Sequence, residues 1–307
     1  MTVLSKKWLV ILNPTSGNGK SKKKWPEIKR ILEQYAFHYE VVFTEYSKHS
    51  IYLVHQAIEK GITNLICIGG DGTLHNIVNG IMSQNKIPSN RVNVGMIPIG
   101  TGNDWIKMHH ISMDIHTAIK TIVKDELSYQ DIGKIELNSK KAESVYFNNI
   151  AGVGFDAYVV SKVDKYKKIG SLSYLLGALI GLFSFKNFNA SVYLNSKKIS
   201  SKTLMVLIGL GKYSGGGMQL TKEPNAFDGL FDVSIAKNLS KIEIIENLSR
   251  LFNGKITNHK KVESIKTSNV EITINEEKFP FLQADGELVG KGNLKIIIIP
   301  KALSFYS

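Results

Sequence analysis

The stretch Leu65-Ile66-Cys67-Ile68-Gly69-Gly70-Asp71-Gly72-Thr73 joins four apolar residues to a turn that contains three glycines. A short apolar run of this length is typical of a β-strand that is buried on both faces. Apolar residues at helical spacing follow over residues 74–82. The stretch therefore predicts a strand, a glycine-rich turn and a helix in succession.

The same alternation of strand and helix extends outward from this stretch through the first third of the chain. Apolar runs at residues 8–12, 39–44 and 93–97 predict strands, and helical spacing is found at residues 25–35 and 51–60. Near-continuous apolar strands that alternate with helices indicate a parallel sheet with helices on both faces. We therefore predict a three-layer α/β domain.

The pattern changes after about residue 130. One clear helix is predicted in this part, at residues 242–252. We place the domain boundary near Asp131, with an α/β domain over residues 1–131, a β-rich domain over residues 132–299, and residues 300–307 as a tail that can return to the first domain. Runs rich in β-branched and aromatic residues predict antiparallel strands at residues 145–150, 190–194, 203–209, 231–236, 270–274 and 294–299.

The composition limits the classes of protein to be considered. The chain has 307 residues and a formal net charge of +13, and the positive excess is spread over both predicted domains. This charge favours an anionic partner, which is nucleic acid, an acidic membrane surface or a phosphorylated substrate. Cys67 is the only cysteine, which excludes an internal disulfide framework and a cysteine-based zinc site. No nucleic-acid-binding motif is found, so we expect no nucleic-acid partner.

The apolar segments favour a soluble cytoplasmic protein. The start of the sequence has no long apolar region of the kind found in signal peptides. The longest apolar stretch, residues 174–185, is shorter than the roughly 20 residues that a membrane-spanning helix needs. We interpret it as a buried helix or strand pair, with a membrane-touching segment as the alternative.

Three glycine-rich turns follow three of the predicted strands. In an open parallel sheet, ligands bind beyond the carboxyl ends of the strands, where glycines let backbone N–H groups approach phosphate oxygens. The N-termini of the following helices add a favourable dipole. A single turn of this kind is equally well an ordinary tight connection. Three of them on one sheet edge predict a site for nucleotide phosphates, at residues 13–17 (NPTSG), 69–73 (GGDGT) and 98–104 (PIGTGND).

Two further glycine motifs are set aside. Residues 17–21 (GNGKS) resemble the end of a Walker A loop, but Pro14 stands where that motif requires its first glycine. Residues 152–157 (GVGFDA) fit a GxGxxA dinucleotide fingerprint, but they lie in the β-rich half without a clean βαβ unit around them. We predict a close-packed turn at residues 152–157.

Together the ordered motifs resemble the diacylglycerol kinase catalytic-domain family, which includes bacterial lipid kinases and sphingosine kinases. The resemblance covers nearly the whole chain. It implies an α/β nucleotide-binding domain like that of NAD kinases and phosphofructokinases, followed by an antiparallel β-sandwich domain. Beyond the three turns, matches continue in the family's order at residues 131–133 (DIG), 148–157 (NNIAGVGFDA), 228–233 (DGLFDV) and 285–287 (DGE).

The resemblance implies ATP and Mg²⁺ as cofactors and a lipid as the phosphoryl acceptor. It places Thr44 near the adenosine side of the nucleotide and Asp71 in the environment of Mg²⁺. The nucleotide-binding residues that it implies are Asn13, Pro14, Thr15, Ser16, Gly17, Thr44, Gly69, Gly70, Asp71, Gly72, Thr73, Thr101 and Asn103.

The implied reaction transfers the γ-phosphoryl group of ATP to a lipid hydroxyl at the cleft between the domains. Asp285 and Glu287 match the acids of the DGE motif, which are the candidates for the general base. Asp-Gly is also a strong hairpin-turn dipeptide, so a plain turn is the alternative at that place. Asn225, Asp228 and the carbonyl of Leu230 match a structural Mg²⁺ site, and oxygen ligands suit this hard ion. Which acid is the base, and which lipid is phosphorylated, stay open.

Two positions depart from the family pattern. Asn76 stands where an acid is usual, and Lys107 stands where arginine is common and keeps the charge without the bidentate geometry. Because Asp71, Asp285 and Glu287 are present, we still predict activity.

Two other functions stay open beside the lipid kinase. NAD kinases carry a similar GGDGT run, so a kinase that acts on a soluble substrate is one alternative. A nucleotide-binding regulator that has lost catalysis is the other, and Asn76 is the residue that suggests it. The oligomeric state, including a homodimer, is also left open.

Basic segments suggest where a membrane could be contacted. Residues 20–24 (KSKKK) and 162–168 (KVDKYKK) are interpreted either as solvated surface or as sites of attraction to an anionic membrane. Peripheral contact with the inner membrane face therefore accompanies the cytoplasmic location as an open alternative. Phe183, Phe185 and Phe188 are assigned either to an acyl-chain pocket or to plain core.

Overall fold

A computed structural model describes residues 6–100, 103–138, 144–163, 184–195 and 197–307. The chain divides into two compact units, of which the first comprises Met1–Gln130 and Lys301–Ser307 and the second comprises Asp131–Pro300. Strands pair in parallel in the first unit and antiparallel in the second.

Strands and helices alternate along the first unit, as predicted. The strands are β1 (Lys7–Leu12), β2 (His38–Phe43), β3 (Asn64–Gly69) and β4 (Asn93–Pro98). A 3-10 helix, Ser89–Arg91, precedes β4. The helices are α1 (Ser16–Gln34), α2 (His49–Glu59), α3 (Asp71–Ser83), α4 (Asp104–Met108) and α5 (Ile115–Val123). Helices α4 and α5 were not predicted from the sequence.

The parallel sheet of the first unit brings its loops to one edge. Strand β1 lies between β2 and β3, and β4 pairs with the free side of β3. Ser304 and Phe305 of the chain end add a further parallel pairing to β4. In this register Gly69 lies opposite Pro98, so the turns that follow β3 and β4 leave the sheet side by side.

Helices cover both faces of this sheet. Trp8, Val10 and Leu12 are completely buried in a core cluster that includes residues of α1 and α5. Successive side chains of a strand point to opposite faces, so Leu9 and Ile11 lie on the other face, where α2 and α3 pack together. This arrangement confirms the predicted three-layer α/β fold.

We expect His109 to make the first unit sensitive to acid. Its Nε2 lies 2.9 Å from Oε1 of Gln130, and its ring packs on Phe305 with the centroids 4.5 Å apart. Burial lowers the pKa of His109 from 6.5 to about 4. The unfolded chain therefore binds this proton at a higher pH than the folded protein, and the free energy of unfolding should fall as the pH drops from about 6.5 to 4.

The variant His109→Phe keeps an aromatic ring at this place but cannot titrate. Urea unfolding between pH 7 and pH 4 should show a smaller acid-induced loss of stability for this variant than for the unaltered protein. Equal losses in both proteins would mean that other groups cause the acid sensitivity.

The second unit is built mainly of antiparallel strands. The strands are β5 (Leu127–Leu137), β6 (Val145–Phe147), β7 (Ile150–Gly154), β8 (Phe188–Leu194), β9 (Lys197–Gly209), β10 (Phe231–Lys237), β11 (Val262–Thr267), β12 (Asn269–Ile274), β13 (Phe281–Ala284), β14 (Glu287–Lys291) and β15 (Leu294–Tyr306). Strand β7 pairs with β13 and β9, β9 also pairs with β8 and β10, and β12 links β8 to β15. Strands β5 and β15 extend beyond this unit, because β5 begins and β15 ends in the first unit.

Two sequence predictions for this unit are corrected. Helix α6 comprises Phe155–Val163. The single helix predicted at residues 242–252 is in fact two short helices, α7 (Lys241–Glu246) and α8 (Leu248–Phe252). A 3-10 helix, Lys255–Asn258, follows them. Helix α6 was not predicted, because the GVGFDA stretch was expected to form only a turn.

None of the helices in the described ranges is both long and apolar enough to cross a bilayer. Most of the apolar stretch 174–185 lies outside the described residues, because residues 164–183 are not among them.

Candidate active site

Asn13 connects the first glycine-rich turn to the second. It follows β1 directly, and its Nδ2 donates to Oγ1 of Thr73 at 3.1 Å. Its Oδ1 accepts from the hydroxyl of Thr15 at 2.8 Å and from the N–H of Thr15 at 3.1 Å. Ser16 Oγ lies 3.5 Å from Thr73 Oγ1. The loop that contains Pro14 is thereby held against the start of α3.

Left-handed backbone interrupts the start of α1. Gly17, Asn18 and Gly19 have φ values of 60°, 57° and 83°. The hydroxyl of Ser21 donates to the carbonyl of Asn13, so this serine supports the turn from within. This contact gives the GNGKS stretch a structural role that needs no Walker A loop.

The second and third turns lie against each other. A Cβ added at Gly100 would lie 3.0 Å from Cα of Gly70 and 2.8 Å from Oδ1 of Asn103. A Cβ added at Gly69 would lie 2.5 Å from Oγ1 of Thr73. Glycine is therefore required because the backbones of the two turns approach closely.

Asp71 joins the same two turns through its carboxylate. It is the first residue of α3, next to Gly72, and it is half-buried. Its Oδ2 accepts from the N–H of Asp104 at 2.9 Å, and its Oδ1 accepts from the N–H of Trp105 at 3.3 Å. The acid of the GGDGT run thus holds the start of α4 in place.

Asn103 has a polar atom that lacks a partner in the part of the chain that the structure describes. The residue is 5% exposed and has a left-handed backbone with φ 50°. Its Nδ2 donates to the carbonyl of Gly100 at 3.0 Å, whereas its Oδ1 is buried without a hydrogen bond. This oxygen can accept a hydrogen bond from a ligand or a water. Thr101 lies outside the described residues.

Three other predicted or divergent positions lie on this unit. Thr44 follows β2 and is half-buried, and its N–H donates to the carbonyl of Leu12 at 2.8 Å. The amide of Asn76 donates to the carbonyl of Gly72 at 3.0 Å, one helical turn earlier. Lys107 is exposed on α4. The asparagine therefore braces the GGDGT turn in a way that needs no negative charge.

In the second unit, the DGE motif forms a two-residue hairpin turn. Asp285 and Gly286 have φ values of 50° and 82° and connect β13 to β14, with Ala284 paired to Glu287. Positive φ at both central residues is the geometry that such short hairpins favour. The turn interpretation of Asp-Gly is thus correct.

The carboxylate of Asp285 is held by three backbone donors. Its Oδ2 accepts from the N–H of Asn148 at 3.1 Å, and its Oδ1 accepts from the N–H groups of Asn149 and Ile150 at 2.9 and 3.2 Å. Residues 148–150 belong to a stretch that matches the family pattern, but no role was predicted for them. No local sequence signal predicts this contact, because about 136 residues separate the partners.

Glu287 has different surroundings from those of Asp285. It begins β14 and is exposed. Among the described residues, no hydrogen bond or ion pair to its side chain is found. Its carboxylate is therefore exposed to solvent, whereas that of Asp285 binds the backbone.

The predicted structural Mg²⁺ site has oxygen atoms of the expected kind. Asn225 Oδ1 accepts from the N–H of Phe227 at 3.0 Å, and Asp228 Oδ1 accepts from the N–H of Leu230 at 3.0 Å. The outer oxygen of Asp228 pairs with Lys266 Nζ at 2.9 Å. This contact raises the pKa of Lys266. Within the described residues, no cluster of three or more His, Cys, Asp or Glu side chains suits a metal ion.

The donor types fit Mg²⁺, which prefers oxygen ligands, but an ion at Asp228 would replace the ammonium group of Lys266. We expect Lys266→Met to remove this competitor, so that Mg²⁺ raises the melting temperature more in the variant than in the unaltered protein. Thermal unfolding with Mg²⁺ and with EDTA measures the difference. An equal rise in both proteins would show that Lys266 does not compete with the ion.

The predicted lipid-contact residues are only partly described. Phe185 packs on Phe155 and Phe188 with ring centroids 5.5 and 6.5 Å apart, as core residues do. Phe183 and residues 164–168 lie outside the described residues. A small apolar cavity of about 20 Å³ is lined by Met205, Leu207, Leu220, Ser234, Ala236, Leu239, Ile256 and Val262.

Comparisons with known proteins cover both units. The family model described as diacylglycerol kinase catalytic domain matches residues 7–135, and the one described as YegS C-terminal NAD kinase beta sandwich-like domain matches residues 149–307. A diacylglycerol kinase of Staphylococcus saprophyticus is 28% identical over 290 residues, which is 94% of this chain and 91% of the relative. A diacylglycerol kinase of Staphylococcus carnosus is 27% identical over 306 residues, which is 99% of this chain and 96% of the relative.

A solved structure has the same fold. A diacylglycerol kinase from Bacillus anthracis matches with a TM-score of 0.73 at 19% identity, covering 98% of this chain and 96% of that chain. The predicted succession of an α/β domain and a β-sandwich domain is thereby confirmed. With both family models matched in order, the chain belongs to the diacylglycerol kinase catalytic-domain family.

Proposed function

We propose that this protein is an ATP- and Mg²⁺-dependent lipid kinase, which transfers the γ-phosphoryl group of ATP to the hydroxyl of a diacylglycerol-like or sphingoid lipid. The observation that carries the proposal is the close approach of the GGDGT and PIGTGND turns at Gly70 and Gly100, at the carboxyl ends of two neighbouring parallel strands, where ligands bind in open sheets. Relatives named diacylglycerol kinase support a lipid as the acceptor.

The first unit binds the nucleotide in this proposal. Backbone N–H groups of the turns and the N-terminus of α3 bind the phosphates, with Thr44 toward the adenosine. Asp71 offers the carboxylate oxygens that suit Mg²⁺, and the bound ion neutralises charge on the phosphates. Phosphoryl transfer needs positioning and charge neutralisation more than covalent catalysis, and this set of groups supplies both.

The second unit supplies the base. The oxygen of the lipid hydroxyl forms a bond to the γ-phosphorus, the bond from that phosphorus to the bridging oxygen breaks, and ADP leaves. The proton of the hydroxyl passes to the carboxylate of Glu287. We assign the base to Glu287 because Asp285 already accepts three backbone hydrogen bonds.

A lipid screen tests the function. The protein is incubated with labelled ATP, Mg²⁺ and micelles that contain diacylglycerol, monoacylglycerol, sphingosine or phosphatidylglycerol, and we expect label in at least one lipid. Folded protein that labels none of them contradicts the proposal. ATP binding in calorimetry without any turnover would instead indicate a regulator, and faster phosphorylation of a soluble acceptor such as NAD would indicate a soluble-substrate kinase.

We also propose peripheral contact with an anionic membrane, supported by the exposed lysines Lys20, Lys22 and Lys23 on α1. A basic residue near such a surface contributes about 1 kcal/mol, so the double variant Lys22→Gln/Lys23→Gln should bind vesicles of phosphatidylglycerol about 30-fold more weakly. The variant Lys60→Gln, on another exposed lysine, is the control. Sedimentation that separates neither variant from the unaltered protein would exclude this surface.

A further inference from the structure

The GVGFDA stretch, residues 152–157, leads toward the DGE turn and takes no part in the nucleotide site. It forms the end of β7 and the first turn of α6. Asp156 lies in that first turn, and its Oδ2 accepts from Nε2 of Gln283 at 2.9 Å. Gln283 belongs to β13 and is 3% exposed. A motif that resembles a dinucleotide fingerprint thus supplies a carboxylate to the strand before the DGE turn.

The other end of the Gln283 side chain reaches the turn itself. Its Oε1 accepts from the N–H of Gly286 at 2.8 Å. An ionised carboxylate only accepts hydrogen bonds, so Asp156 must face the NH₂ group of Gln283. The amide oxygen of Gln283 then faces the N–H of Gly286. The order of the contacts is therefore Asp156, Gln283, Gly286, and each donor faces an acceptor.

The sequence makes room for this carboxylate. A Cβ added at Gly152 would lie 1.7 Å from Oδ2 of Asp156, so only glycine fits there. The Oδ1 of Asp156 is shielded from solvent and has no hydrogen-bond partner in the described part of the chain. Burial raises the pKa of Asp156 to about 6. Placing a carboxyl group at such a site is unfavourable by itself, which indicates that its contact with Gln283 has a use.

We propose that Asp156 and Gln283 are positioning residues for the turn Asp285-Gly286-Glu287. Asp156 orients the amide of Gln283, and this amide holds Gly286 so that the acids on either side keep their directions. Neither residue contacts the reacting atoms in this proposal. The inference rests on the proposed function, because it assigns the supporting residues of the turn that carries the base.

Reversing the hydrogen bonds provides the decisive variant. In the double variant Asp156→Asn/Gln283→Glu, the new amide at position 156 donates to one oxygen of the new acid at position 283. The other oxygen of that acid still accepts from Gly286. Gln283→Met has a side chain of similar length but makes neither hydrogen bond, so it serves as the matched variant in which both contacts are lost. Asp156→Asn alone keeps an acceptor for Gln283.

Small displacements of catalytic groups reduce turnover strongly, so we expect Gln283→Met to lower kcat about 30-fold with the KM for ATP within about threefold. The double variant and Asp156→Asn should both keep kcat within about fivefold of the unaltered protein. Loss of 30-fold in the double variant, or an unchanged kcat in folded Gln283→Met, would overturn the proposal. If Gln283→Met does not fold, a 30-fold loss of kcat in the double variant still overturns the proposal.

Hydrogen–deuterium exchange gives a second measurement that needs no activity. The peptide over residues 281–291 should exchange faster in Gln283→Met and at the original rate in the double variant. Equal rates in all proteins would overturn the proposal even in the absence of an assay. A failure of the proposed function looks different, because the unaltered protein then labels no lipid while the exchange pattern still tests the positioning of the turn.

Discussion

Replacing Glu287 by glutamine should lower kcat for lipid phosphorylation by a factor of about 10² to 10⁴, which is the range that a general base contributes. The amide has the size of the acid but cannot take the proton of the attacking hydroxyl. Because Glu287 is the exposed first residue of strand β14, its side chain contributes little to stability. We therefore expect the melting temperature and the KM for ATP to stay unchanged.

Two further variants make the assignment specific. Glu271→Gln applies the same change to another exposed acid, on β12, and should leave kcat unaltered. Asp285→Asn should lower both kcat and the melting temperature. The carboxylate now accepts hydrogen bonds from the N–H groups of Asn148 and Asn149, and the new NH₂ group would face one of these donors without forming a bond. Turnover by Glu287→Gln within threefold of the original rate would exclude Glu287 as the base.

Much of the first unit could be predicted because its signals are local. The apolar run that ends before Gly69 identifies β3, and the alternation of strands and helices predicts the parallel direction in which it pairs with β4. The glycines of the turns were also recognisable, since a turn that lets backbones touch, as Gly70 and Gly100 do, tolerates no side chain. Residue types and their order along the chain were sufficient for these features.

The contacts that organise the acids could not be predicted, because they join distant parts of the chain. Nothing near Asp285 indicates that the N–H groups of Asn148 and Asn149 bind it. The same holds for Asp156 and Gln283, which meet only when α6 lies against β13. The helix at Phe155–Val163 was missed because its first residues match a glycine motif that suggested a turn.

The two units use their motif acids in a similar way. Asp71 accepts from two backbone N–H groups of the neighbouring loop, and Asp285 accepts from three. In each case a carboxylate replaces the hydrogen bonds that a loop backbone would otherwise make with water. These acids therefore determine loop conformation as well as charge, and a neutral amide cannot substitute for them fully.

For this reason, Asp71→Asn should lower kcat/KM for ATP by about 10³-fold. The new side chain has one acceptor oxygen, so its NH₂ group faces the N–H of either Asp104 or Trp105. One of the two hydrogen bonds that hold the PIGTGND turn to Asp71 is therefore lost. The change also removes the negative charge proposed to bind Mg²⁺, and such preorganised groups contribute most of the stabilisation in phosphoryl transfer. Steady-state rates with varied ATP and Mg²⁺ measure the effect.

Asp114→Asn is the matched control for this variant. Asp114 caps α5 in the same unit by accepting from the N–H of Thr117 at 2.8 Å, and asparagine caps helices about as well as aspartate does. The control makes the same change of charge and should leave kcat/KM within about twofold, since it lies outside the three turns. If Asp71→Asn also kept kcat/KM within tenfold, the role of Asp71 would be limited to its hydrogen bonds between the two turns. Another residue would then have to bind Mg²⁺ in the nucleotide site.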